Sequence, residues 1–90
     1  MNKSEKIIKH VKYVAHLLGG EYNLSRSGVP RILFHNEKCS ASLVYVAHDN
    51  QWKIFYPYPS IEQERIYFSK NKDMVDWLYE RGFIKDVAPK

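Results

Sequence analysis

Residues 31–56 read RILFHNEKCSASLVYVAHDNQWKIFY, and the fold turns on them. Apolar side chains recur there at the two-residue period of a strand, in runs separated by turn-forming residues. Arg31 to His35 makes one strand, and Asn36-Glu37-Lys38 turns the chain. Cys39 to His48 makes the next, with Ala41, Leu43, Tyr45 and Ala47 on one side and Val44 and Val46 on the other. Asp49-Asn50 is a hairpin signal, and Gln51 to Tyr56 returns as a further strand. Strands joined by connections this short are antiparallel.

Working outward, Tyr22 and Leu24 mark a short strand before the Ser27-Gly28-Val29-Pro30 turn. Ahead of it, Ile7, Val11, Val14 and Leu18 recur at helical spacing, with Ser4 as N-cap, Glu5 in the first turn and Gly19-Gly20 as the stop. On the other side, Pro57 and Pro59 are expected to end the fourth strand, because each lacks a ladder donor. Arg65 to Phe68 supplies a fifth short strand. A second helix follows, capped by Ser69 or Asn71, with Met74, Trp77, Leu78 and Arg81 on one face and Gly82 at its end. The expected architecture is α+β: an N-terminal helix, a four- or five-stranded antiparallel meander and a C-terminal helix. Both helices lie on one sheet face, which leaves the other partly open. Residues 1–84 form one domain, and residues 85–90 are read as a loose polar tail.

The chain has 90 residues, enough for one core. Hydrophobic residues at 44% and charged residues at 27% are a globular mix. Cys39 is the single cysteine, so no internal disulfide forms, which fits a reducing, cytoplasmic setting. The opening residues do not read as a signal peptide, and no apolar run approaches the ~20 residues of a membrane helix. The net charge is +4, and most of the excess sits in residues 1–20, where four lysines face one glutamate.

The familiar catalytic patterns are missing. The four glycines fall in caps and a turn rather than in a phosphate loop, and one cysteine cannot build a paired-cysteine metal site. His35, Cys39 and His48, with Asp49 as an orienting group, are the candidates for a thiol nucleophile and base, and the first three for a metal site. Glu62, Glu64 and Asp73 read as a solvated linker and a helix start rather than an acid–base pair. No metal and no cofactor are expected.

Two surfaces carry more information. At about 100° per residue, Lys6, Lys9, Lys12, Tyr13 and His16 lie away from the apolar stripe of the first helix, and Lys70 and Lys72 flank the start of the second. Such cations suit phosphates. In the strands, Arg31, Lys53 and Arg65 interleave with Tyr56, Tyr58 and Tyr67, and rings together with cations suit single-stranded nucleic acid, whose bases stack on aromatic faces. Phe55 and Tyr58 need an environment apart from that of Trp52, Ile54 and Tyr56, which leaves aromatic surface to meet a partner.

The order helix, antiparallel strands, helix resembles the double-stranded-RNA-binding fold and the small toxin ribonucleases built on it. The resemblance implies a phosphate grip at Lys70-Asn71-Lys72. The chain departs from the toxin group in lacking its glycine-serine-histidine strand signature, and Asp73 dilutes the basic cluster.

The functional expectation is a non-enzymatic binding protein of inhibitor or regulator type. It docks on a protein or nucleoprotein through Trp52, Lys53, Phe55, Tyr56, Tyr58, Arg65 and Tyr67, a patch through which a homodimer would also form. The alternatives are RNA or DNA binding through Lys6, Lys9, Lys12, Tyr13, Lys70 and Lys72, and a small metal-independent ribonuclease using His35 or His48. No membrane partner is expected.

Overall fold

The computed structural model describes residues 3–58 and 60–84; of Lys3 and Ser4 it describes the backbone only. The element order is α1 (Lys3–Leu18), β1 (Glu21–Leu24), β2 (Pro30–His35), β3 (Ser40–Val46), β4 (Gln51–Tyr58), β5 (Glu64–Phe68) and α2 (Asn71–Glu80). The five strands form one open sheet in sequence order, every neighbouring pair antiparallel. The Ser4 cap, Pro59 and the 85–90 tail lie outside what is described. No described helix is long and apolar enough to cross a membrane.

Both helices sit on the same face of the sheet. Val11, Val14 and Ala15 of α1 and Met74, Trp77 and Leu78 of α2 enter one core with Ile32, Phe34, Leu43, Trp52 and Ile54. The alternation of β2, β3 and β4 supplies the floor of that core, since residues two apart share a face. The shortest dimension of the molecule is 21 Å, the depth of one helix layer on one sheet. The far side of the sheet is therefore molecular surface.

The chain enters β1 through a close approach. Gly20 has no side chain to collide with Ile32 and Phe34, which lie where a Cβ would stand. At the other end Gly82, with φ +77°, reverses the chain after α2. Phe83 and Ile84 thereby return to the core, with Phe83 stacked on Trp77.

Three local expectations change. The third strand stops at Val46, and residues Ala47–Asp49 form a single 3₁₀ turn that ends at Asn50 in the left-handed region. Asn50 tolerates that conformation and its side chain accepts from the Tyr45 hydroxyl. Nor does α2 use a side-chain cap. Lys70 occupies the cap position, and the Asn71 side-chain Oδ1 accepts the Trp52 indole N–H at 2.9 Å instead. Satisfying a buried indole donor outweighs one helix cap.

Pro57, finally, does not end β4. In the register with β3, Tyr58 pairs with Ser40 and Phe55 with Ser42, so Ala41 alone faces Tyr56 and Pro57. This is a β-bulge, and a bulged residue owes the ladder no donor. The consequence is larger than the bend. The additional residue shifts the alternation by one, and Tyr58 leaves the face that Trp52, Ile54 and Tyr56 occupy.

Candidate functional site: the open face of the sheet

The register arranges the open face in rows across the strands. Asn23, Arg31, Val44, Lys53 and Tyr67 form one row, and Glu21, Leu33, Ser42, Phe55 and Arg65 form the next. His35, Ser40 and Tyr58 form a third. No described helix packs on these rows.

Arg31 is held by neutral partners. Its Nε donates to Asn23 Oδ1 at 2.6 Å, and one terminal nitrogen donates to the Tyr58 hydroxyl at 2.6 Å. The guanidinium also lies 5.5 Å from the centre of the Tyr58 ring. Two of its five N–H donors are thus spent on orientation and the others stay available. Lys53 Nζ stands 5.1 Å from the Phe55 ring centre and 6.0 Å from that of Tyr67, and the Arg65 guanidinium is 5.9 Å from Phe55. Each cation rests on a π face, which steadies its side chain while leaving its charge unneutralised.

None of the three cations forms an ion pair with a described carboxylate. The carboxylate on these rows, Glu21, lies on β1 with His35 Nε2 at 3.8 Å. Arg31, Ser42, Lys53, Phe55, Tyr58 and Gln63 help to line a concavity of about 300 Å³ on this face. That is the lower end of the range for small-ligand clefts.

The docking set read from the sequence is therefore divided by the sheet. Lys53, Phe55, Tyr58, Arg65 and Tyr67 meet on the open face. Trp52 and Tyr56 do not join them, because strand alternation turns both toward the helices. Trp52 is 2% exposed and packs against His10 and Tyr45. Tyr56 meets Trp77 and Phe83 edge-on. The Tyr56 hydroxyl is held above its ordinary pKa, first by its hydrogen bond with Cys39, then by burial and the Cys39 charge, with Arg81 acting in the opposite sense. Arg31, which sequence reading leaves outside the docking set, joins the face through Tyr58 and Asn23.

The basic helix surface is a separate place. Lys6, Lys9, Lys12 and Tyr13 are exposed on α1, in the helix layer rather than on the open sheet face. Lys12 lies 5.3 Å from the Tyr22 ring centre. At the start of α2, Lys70 is exposed, whereas Lys72 donates to Asp76 at 2.9 Å, a bond that raises the lysine pKa.

The sulfur and imidazole candidates are not brought together. His35 and His48 flank opposite ends of β3. His35 Nδ1 pairs with Ser40 at 2.6 Å, His48 is 3.4 Å from Asp49, and Cys39 is engaged by Tyr56. Among the described residues no cluster of His, Cys, Asp or Glu is arranged to hold a metal ion. His10 is a contact that the sequence reading missed. Its spacing of three from Ile7 and four from Val14 put it on the apolar stripe, a signal that was present.

Comparisons with family models, curated proteins and solved structures found no match for the chain.

Proposed function

We propose that this chain is a small non-enzymatic binding protein that lays the open face of its sheet on a protein or nucleoprotein partner presenting negative charge, and so inhibits or regulates it. One observation carries the reading: Arg31, Lys53 and Arg65 share a face with Phe55, Tyr58 and Tyr67, and no described carboxylate pairs with them. Half-covered rings flanked by oriented cations have the composition of interface centres, in which aromatic residues and arginine dominate. The single cysteine supports a cytoplasmic setting.

Nucleic-acid binding through α1 is the second reading, supported by the exposure of Lys6, Lys9 and Lys12. Its extension to α2 has less support, because Asp76 already occupies Lys72. A ribonuclease reading would need a base and a cation at one place, whereas the partners seen at His35 are Ser40 and Glu21 and the partner at His48 is Asp49.

Photo-crosslinking separates the two faces. A benzophenone side chain installed at Tyr67 on the sheet face, or at Tyr13 on α1, is irradiated in extract from the source cell. The reading predicts adducts from position 67, reduced about tenfold by the double substitution Lys53→Glu and Arg65→Glu, and few from position 13. Adducts confined to position 13, insensitive to the double substitution, would refute it.

A further inference from the structure

The open face alternates charge and ring in a manner that narrows the occupant. Arg31 and Lys53 stand in one row with β3 between them, about 10 Å apart from two strand spacings. Tyr67 continues that row, while Phe55 and Arg65 are neighbours in the next. Every cation thus has an aromatic ring beside it, and every ring has a cation. An acidic polypeptide would use the cations and leave the rings idle. A duplex would offer phosphates but keep its bases stacked inside. A single strand of nucleic acid alternates an anionic phosphodiester with a flat base, the same two chemistries that the face alternates.

We infer that the open face binds single-stranded nucleic acid, with Arg31, Lys53 and Arg65 on successive phosphates and with bases against Phe55 and Tyr67. This rests on the docking face proposed above and names what occupies it. The Arg31–Tyr58 clasp is the fixed point. It holds a guanidinium with free donors at the rim of the 300 Å³ concavity, and Gln63 in that lining offers hydrogen bonds to a base edge.

The test is fluorescence anisotropy with labelled twelve-nucleotide oligo-U and oligo-dT from 50 to 300 mM salt, with the matching duplex and poly-glutamate as competitors. Three neutralised phosphates predict that log affinity falls with log salt at a slope of about −2. Arg31→Ala should flatten the slope by about 0.7, and Lys53→Ala, which removes no described hydrogen bond, should do the same if loss of the clasp perturbs folding in the first variant. Phe55→Ala should weaken binding about tenfold at fixed salt without changing the slope.

Absence of binding by either oligonucleotide at 50 mM salt would overturn the inference. So would equal competition by duplex or by poly-glutamate, or loss of binding on Lys6→Glu, Lys9→Glu and Lys12→Glu together with none on Arg31→Ala. If the oligonucleotides fail while crosslinking from position 67 persists, the occupant falls and the docking face stands; if both fail, both fall.

Discussion

Trp52→Ala is expected to destabilise the fold by about 3–5 kcal/mol, the range for removing a buried large aromatic side chain. Trp52 is 2% exposed near the start of β4, its ring within 5.0 Å of Tyr45 and 5.5 Å of His10 between centres. It also joins three elements, since its indole N–H binds Asn71 at the start of α2 while its ring packs on α1. A domain of this length has roughly 5–13 kcal/mol to lose. Trp52→Phe keeps a ring, drops the hydrogen bond and should cost less, about 1–2 kcal/mol, because the exposed Asn71 can turn to water. Urea unfolding followed by far-ultraviolet circular dichroism measures both. A Trp52→Ala protein with the parent midpoint would show that β4 does not organise the core.

The second large effect is expected at Gly20→Ala, a single methyl group placed where the α1–β1 connection approaches β2 closely. That methyl would collide with Ile32 Cγ2 and lie 2.8 Å from Phe34 Cε1, and both are core residues of β2. Neither neighbour is a flexible end that could swing aside, so the α1–β1 connection would have to move off the sheet. Overpacking of this kind costs typically 1–3 kcal/mol, and each kcal/mol lowers the melting temperature by about 4–8 °C in a domain of this size. Gly19 is the contrasting position. A Cβ there meets nothing within 4 Å, but φ is +74°, so the cost of Gly19→Ala is backbone strain alone and Gly19→Asn should recover part of it. Thermal melts that leave Gly20→Ala at the parent temperature would contradict the close approach.

The main lines of the fold were legible because they follow from period. The spacing of Ile7, Val11 and Val14 belongs to a helix, and the alternation of Trp52 and Ile54 with Lys53 and Phe55 belongs to a two-sided strand. What was not legible depends on the partner strand. Pro57 alone reads as a stop; only the register of Ser40 and Ser42 against β4 reveals a bulge that accommodates it. The bulge then decides where Tyr58 goes. The same limit applies to Asn71, whose helix-capping chemistry is plain in the sequence but whose competing donor, the Trp52 indole, comes from another element.

The candidate site was half legible for the same reason. Rings and cations crowd residues 52–67, yet counting them does not assign faces. Alternation removes Trp52 and Tyr56 to the core, and the bulge places Tyr58 beside Arg31, a residue 27 positions away. Phe83 does cover one ring of the proline-flanked strand, that of Tyr56. The two helices and the returning C-terminal turn reach only one side of the sheet, so Phe55 and Tyr67 keep solvent on theirs.

Solvent paramagnetic relaxation measures that directly. With a neutral gadolinium chelate added to the isolated, isotopically labelled protein, ring resonances of Phe55 and Tyr67 should broaden strongly, while those of Trp52 and Phe34 should be nearly untouched. Equal protection of Phe55, Tyr67 and Trp52 in the monomer would mean that the sheet has no open face, and the docking reading would go with it.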